Sequence, residues 1–167
     1  MAPMSRIHSF PPLARADARL VILGSMPGEA SLAAGQYYAH PRNAFWPIMG
    51  HLFGFDPQAD YAERVAALLE ARVAVWDVLH SCRRSGSLDS RIRDDAVNDF
   101  ATFFADHPAI SRLFFNGQKA EVSYRRHVLP HLPRHLDCQR LPSTSPAHAT
   151  LSFEAKLAAW RTAIIRS

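Results

Sequence analysis

The sequence predicts a three-layer α/β domain: a central four-stranded, mostly parallel sheet with helices on both faces. Three observations predict it. Apolar, β-branched runs alternate with segments of helical periodicity four times along the 167 residues, the pattern of strand–helix–strand units. Apolar residues make up 48% of the chain, enough for a sizeable core and too many for a disordered chain. The chemically unusual segments all lie just after a predicted strand, where open parallel sheets hold their ligands. One domain over residues 1–167 is the expectation.

Residues 1–18 read as irregular, broken by Pro11-Pro12. RLVIL, 19–23, reads as a buried strand that stops at Gly24. NAFWPIMGHLFG, 43–54, reads as a short helix with Pro47 near its first turn. DYAERVAALLEA, 60–71, has apolar residues three and four apart and predicts a helix. VAVWDV, 73–78, is β-branched and aromatic and predicts the second strand, followed by a polar, Arg-rich loop over 79–94. A helix is expected over 96–108, ended by Pro108, and a third strand over 111–117, stopped by Asn-Gly. QKAEVSYRRHVL, 118–129, predicts a helix. DCQRLPSTSPAHA, 137–149, predicts a short strand running into a Ser/Pro loop, and FEAKLAAWRTAII, 153–165, the closing helix.

Charge and composition narrow the function classes. Lys plus Arg number 19 against 15 Asp plus Glu, an excess compatible with a nucleic-acid partner without requiring one. Only Lys119 and Lys156 are lysines, and arginine suits bidentate phosphate contact and ring stacking. Two cysteines, Cys82 and Cys138, are too few for a disulfide scaffold or a four-thiolate cluster. The N-terminus has no apolar signal core and no run approaches a membrane span, so a cytoplasmic protein with no membrane partner is expected. His127, His131 and His135 are spaced like helical ligands, but Pro130 and Pro133 interrupt any helix, which argues against zinc.

Four segments carry chemistry. GSMPGEAS, 24–31, combines Gly24 and Gly28, which permit tight turns, with Pro27, which fixes a bend. It lacks the Lys-Ser/Thr of a phosphate-cradling loop and the spacing of a dinucleotide fingerprint. QYYAHPRN, 36–43, offers the flat faces of Tyr37 and Tyr38, with Phe45 and Trp46 just beyond, and bases stack on such rings for about 1–3 kcal/mol each. Asn43 carries an acceptor and two donors on a short stem; it suits orienting a water, reading a base edge or capping the next helix. LPSTSPAH, 141–148, sets Ser143, Thr144, Ser145 and His148 around two prolines, as hydroxyl donors for phosphate or as a capped turn. Arg83, Arg84, Arg91 and Arg93 form a basic run that reads as phosphate contacts or as solvated surface.

In order, LVILGSMPGEASL, QYYAHPRNAFW, VWDVLHSCRRSGSLDSRI, LFFNGQKA and LPSTSPAHA resemble the motifs of the uracil-DNA glycosylase superfamily, and within it the hypoxanthine-DNA glycosylases, over residues 19–165. The resemblance implies hydrolysis of the bond between a deaminated base and deoxyribose in double-stranded DNA, by a monofunctional mechanism without metal or other cofactor. In better-known branches the position of Met26 holds Asp or Asn, which handles the attacking water. A thioether cannot do that, and in the hypoxanthine branch the catalytic polar group is similar to Asn43. By position, Met26, Pro27, Tyr38, Phe45, Asp77 and Asn116 are then expected around the base, with Asp77 at its edge. Ser143, Thr144, Ser145 and His148 are expected to grip the backbone and help extrude the nucleotide, with Arg83 and Arg84 at phosphates. Asp77 also reads as a buried structural carboxylate, and Asn116 as a turn residue. Two other functions stay open: a uracil- or mismatch-specific glycosylase of the same fold, and a nucleic-acid-binding module without catalysis. A monomer is expected.

Overall fold

In the computed structural model, residues 5–133 and 135–165 are described. Four strands, β2 (Leu20–Gly24), β3 (Val73–Asp77), β6 (Arg112–Asn116) and β7 (Asp137–Leu141), form one sheet in the order β3-β2-β6-β7. Every pairing in it is parallel. β2 and β3 are buried throughout, as unbroken apolar runs inside a doubly covered sheet must be.

The two-residue period of the strands divides the core. Val21, Leu23, Ala74, Trp76, Leu113 and Phe115 point to one face; Leu20, Ile22, Val73, Val75 and Phe114 point to the other. On the first face lie α4 (Phe100–Asp106) and α5 (Gln118–His127), which contribute Phe100, Phe103, Phe104, Ala120 and Tyr124. On the second lie α2 (Phe45–Phe53), α3 (Tyr61–Glu70) and α6 (Phe153–Ile164), with Trp46, Ile48, Leu68 and Trp160 at their centre. The three layers are the expected ones.

Two segments differ from expectation. The stretch read as an Arg-rich loop over 79–94, with the start of the helix read over 96–108, forms β4 (Leu79–Arg83) and β5 (Arg93–Val97). Together with β1 (Arg6–His8), from a stretch read as irregular, they make a second, antiparallel sheet in the order β1-β4-β5. β5 reads exposed-exposed-exposed before its last two residues, so no alternation marked it as a strand. Its pairing with β4 delays α4 until Asp99, whose side chain accepts the Thr102 N–H as the cap. The other difference is α1 (Glu29–Ala34), a helix too short for periodicity to announce, inside the loop read over 24–43. It ends at Gly35 in the left-handed region, φ 65°.

Candidate active site

The segments that follow β2, β3, β6 and β7 meet at the carboxyl ends of these strands. They close around a cavity of about 720 Å³ whose wall includes Met26, Tyr38, Asn43, Asp77, Asn116 and His148. This volume lies within the range of small-molecule sites.

The first rim is the turn after β2. Gly24 is required there: a Cβ would lie 2.6 Å from Asp77 Oδ1 and 2.8 Å from the Tyr38 hydroxyl. The turn is tied to the 84–91 loop at three points. The Ser25 hydroxyl donates to Asp89 Oδ1 (2.6 Å), the Glu29 N–H donates to the Ser87 hydroxyl (2.8 Å), and Arg84 donates to the Pro27 carbonyl (2.5 Å). Met26 and Pro27 therefore form a stiff edge, with Met26 on the cavity wall.

Arg84 is not a phosphate contact. Only 6% of it is exposed; its Nε–H and one Nη donate to the Gly86 and Pro27 carbonyls, and its other Nη is buried without a partner. It acts as an internal clamp. Arg83 pairs with Asp94 at 3.7 Å on the second sheet and lies outside the cavity wall.

The aromatic pair separates into two roles. Tyr37 belongs to the core: its hydroxyl donates to the Pro11 carbonyl (2.8 Å), and its own carbonyl accepts Trp46 Nε1–H (2.8 Å). Tyr38 takes a left-handed backbone, φ 55°, which costs a non-glycine residue energy and is held here by its surroundings. Its ring stacks on Phe45 at 4.0 Å between centroids. Phe45 is 0% exposed and stands behind Tyr38, so it supports the wall instead of offering a face to a base.

Asp77 and the Tyr38 hydroxyl are the uncompensated groups at the floor. Asp77 is 3% exposed, and its Oδ2 has no hydrogen-bond partner. Burial pushes its carboxyl up to about 7, the Asp89 carboxylate adds to the shift, and the Arg84 charge opposes it. The Tyr38 phenol is pushed far above its ordinary range by burial and then by Asp77. Asn116 lies close enough to offset that slightly, yet the hydroxyl gains no hydrogen bond of ordinary geometry. Unpaired buried polar groups on a cavity wall cost stability that a bound polar ligand can return.

Asn43 stands where α2 begins. Its Oδ1 accepts the Phe45 N–H at 2.9 Å, a local side-chain turn just ahead of the N-cap, Ala44. Its Nδ2 has no partner among the described residues, so the fold leaves a donor free at the cavity wall.

Loop 142–148 is the opposite rim. Asn116 holds it through both ends of its amide: Nδ2–H donates to Thr144 Oγ1 and Oδ1 accepts the Thr144 N–H, each at 2.9 Å. Thr144 is 1% exposed, so it anchors the loop and its hydroxyl is not offered to phosphate. Ser143 and Ser145 accept N–H groups within the loop at 3.2 Å, leaving their hydroxyl protons uncommitted. His148 is half-buried on the rim. Gly117, φ 94°, brings the start of α5 against Ser143; a Cβ there would lie 3.2 Å from the Ser143 Cβ.

Lys156 braces this loop from outside the cavity wall and had not been singled out. Its ammonium donates to the Ser145 carbonyl (3.4 Å) and the His148 carbonyl (2.6 Å) from α6. Burial pushes its pKa down. The signal was present: Lys156 shares spacing with Trp160, Ala163 and Ile164, so a cation sits in the buried stripe of its helix.

Known proteins resemble this chain in sequence and in fold. The sequence profile of the Uracil DNA glycosylase superfamily matches residues 11–166. A protein named hypoxanthine DNA glycosylase from Methanosarcina barkeri is 37% identical over 114 residues, covering 68% of this chain and 72% of that protein. Another of the same name from Methanosarcina acetivorans is 37% identical over 132 residues, 74% of this chain and 84% of that one. A solution NMR structure from Methanosarcina acetivorans, titled as a candidate uracil DNA glycosylase, superposes with a TM-score of 0.79 at 30% identity, over 95% of this chain and 98% of that one. With its profile spanning nearly the whole chain and the strand-end cavity in place, the chain belongs to the uracil DNA glycosylase superfamily.

Proposed function

We propose that the protein is a monofunctional DNA glycosylase that extrudes a deaminated base, hypoxanthine foremost, from double-stranded DNA and hydrolyses its N-glycosidic bond. The observation that carries this reading is the free Asn43 Nδ2 donor on the wall of a cavity that also holds Asp77 and Tyr38. The names of the relatives supply the substrate class.

A base inside a duplex is out of reach, so the nucleotide leaves the stack at a cost of a few kcal/mol, least at a mispair. Tyr38, backed by Phe45, offers the stacking surface. The bond from C1′ to the base nitrogen breaks and its electron pair leaves with the base. A water oxygen bonds to C1′, and the proton that water releases ends on the departed base. Negative charge develops on the base and positive character on the sugar. A fixed donor that meets the base as charge develops lowers the barrier, and Asn43 Nδ2 supplies one. Near neutral pH the Asp77 carboxyl is partly protonated, so it can donate to a base carbonyl where a carboxylate would repel it. DNA phosphates near the sugar favour its cationic character.

The decisive experiment is chromatography of free bases released from duplexes carrying hypoxanthine, uracil or xanthine. Hypoxanthine is the expected main product. Preferred release of uracil moves the protein to the alternative substrate; binding of every duplex with no base released leaves a non-catalytic module. Asn43 has two variants that separate its roles. Asn43→Ala removes both the acceptor of the Phe45 N–H and the donor, and is expected to abolish or greatly slow release, with roughly 1 kcal/mol lost from stability through the missing hydrogen bond. Asn43→Asp keeps the oxygen that accepts the Phe45 N–H and is expected to retain the wild-type melting temperature to within a few degrees while still losing release. Wild-type turnover in Asn43→Asp would overturn the donor assignment.

A further inference from the structure

Besides Asp77, the cavity wall includes two acidic residues, Glu29 and Asp89. Glu29 is exposed, and no contact among the described residues fixes its carboxyl. Asp89 is fixed. Its Oδ1 accepts the Ser25 hydroxyl at 2.6 Å. Its carbonyl accepts the Ile92 N–H at 3.1 Å and the Leu88 carbonyl accepts the Arg91 N–H at 3.0 Å, which closes a short 3₁₀ turn over Asp89–Arg91. Ser87 and Arg84 pin the same loop to the turn after β2.

Its charge has no counter-charge. Asp89 makes no ion pair among the described residues. The lysine and the arginine on the same wall are engaged elsewhere: Lys119 pairs with Asp95 at 3.7 Å, and Arg93 donates to the Ser90 and Ile92 carbonyls at 3.0 and 2.8 Å. The charge of Asp89 reaches the floor of the cavity. After burial it is the next cause of the raised Asp77 carboxyl, and behind burial and Asp77 it adds to the rise of the Tyr38 phenol. Gly24 abuts Asp77 and the next residue, Ser25, holds Asp89, so the two acids bracket one turn. They differ in depth: Asp77 is buried at the floor, whereas Asp89 is exposed at the mouth.

We propose that Asp89 is a further catalytic residue: its carboxylate contacts the deoxyribose of the extruded nucleotide and stabilises the positive charge that develops at C1′ as the base leaves. This rests on the glycosylase function proposed above. With the base at the floor, beside Asp77 and Tyr38, the sugar lies nearer the mouth, at the depth of Asp89. Asn43 stands ahead of α2 on one face of the main sheet, and Asp89 lies between β4 and β5 on the other, so a donor and an anion approach the glycosidic bond from opposite sides. Carboxylates flank the oxocarbenium-like sugar in glycoside hydrolysis for the same electrostatic reason. A charge already in place costs no reorganisation at the moment of reaction, and a duplex over the mouth displaces the water that would screen it. Asp89 forms no bond to C1′ and gains no proton. The water oxygen still bonds to C1′, and the proton that water releases still ends on the departed base.

The test uses duplexes carrying one of two base-free sugar analogues: a neutral tetrahydrofuran, or a pyrrolidine with a cationic nitrogen in place of C1′. Affinities are measured by fluorescence anisotropy at about pH 6, where the Asp77 carboxyl holds its proton. The preference for the cationic over the neutral duplex is expected to be about tenfold greater in the wild type than in Asp89→Asn, the size of one charge-assisted interaction. The attraction of the DNA phosphates is common to both proteins and cancels in that comparison. Asp89→Asn keeps an oxygen for the Ser25 hydroxyl, so its melting temperature and its affinity for the neutral duplex are expected to stay at the wild-type values. Asp77→Asn is expected to keep the wild-type preference for the cation. Single-turnover release of hypoxanthine is expected to fall about a hundredfold in Asp89→Asn, the scale set by removing one preorganised group. An equal cation preference in the wild type and Asp89→Asn overturns the proposal, as does a wild-type rate of release in that variant. Base release by the wild type keeps the two readings apart. Release together with a preference that ignores Asp89 leaves the proposed function standing without this residue, and no release from any duplex sinks both.

Discussion

The Asp77 carboxyl titrates where the enzyme would work, and its position explains why. It ends β3 at the base of the cavity, buried, with Asp89 nearby and only Arg84 to oppose the shift. The folded protein holds its proton up to about pH 7, whereas an unfolded carboxyl releases it near the ordinary value of 3.8. Between those limits the native state binds more protons than the unfolded one, so stability is full at low pH and falls as pH rises through about 7. Asp77→Asn isolates this contribution because it is neutral and nearly isosteric. Its melting temperature is expected to match the wild type below about pH 4, to exceed it by a margin that grows as pH rises from 4 to 7, where only the unfolded carboxyl is ionised, and to keep that margin above pH 7. An offset between the two proteins that stays constant from pH 5 to 9 would remove the raised carboxyl from the account. The sequence supplied Asp77 and Asn43 as polar residues after strands. It could not show that Arg84 turns inward: an arginine in a polar run reads as a surface group, and only the approach of the Pro27 carbonyl makes it a clamp.

At the scale of elements, loop 142–148 holds its shape through contacts from three directions. Asn116 at the end of β6 fixes Thr144, the Thr144 carbonyl accepts the Ala44 N–H (3.0 Å) ahead of α2, and α6 contributes Trp160 Nε1–H to the Pro142 carbonyl (2.9 Å) and Lys156 to two more. Lys156→Met keeps the stem in the apolar stripe and removes the ammonium. The expected result is faster amide exchange at His148, whose N–H bonds the Ser145 carbonyl at 3.0 Å, with the amides of β2 still as protected as in the wild type. Unchanged exchange at His148 would show that Asn116 and Trp160 hold the loop without the lysine. The same elements show what was legible. β2, β3, β6 and β7 and the helices α2, α3, α5 and α6 carry strong periodicity or buried runs, and each falls within a few residues of its expected bounds. β4, β5 and α1 were missed because pairing and short-range anchoring create them: β5 is largely exposed, and α1 has only six residues. The convergence of four strand-end loops followed from topology alone; the bonds that fix them did not.

At the scale of the molecule, the main sheet is a partition shared by two cores. β2 sends Val21 and Leu23 to one cluster and Leu20 and Ile22 to the other, so neither cluster can dissolve without stripping one face of the central strands. The second sheet does not stand apart, since Leu79 and Cys82 of β4 belong to the first cluster and Ile7 and Val97 pack against it. The expected unfolding is one cooperative transition over the whole chain. The three tryptophans can report it, because Trp76 lies in the first cluster while Trp46 and Trp160 lie in the second. Trp76→Phe leaves fluorescence from the second cluster only, and the double variant Trp46→Phe/Trp160→Phe leaves it from the first. Each lowers stability, by roughly 1–3 kcal/mol per site for shape change and lost hydrogen bonds, so their midpoints in urea will differ from the wild type. Within each variant, the fluorescence midpoint is nevertheless expected to coincide with that of helical circular dichroism. A variant in which fluorescence from one cluster is lost well before the helices would split the chain into two independently stable units, with the cavity at their border.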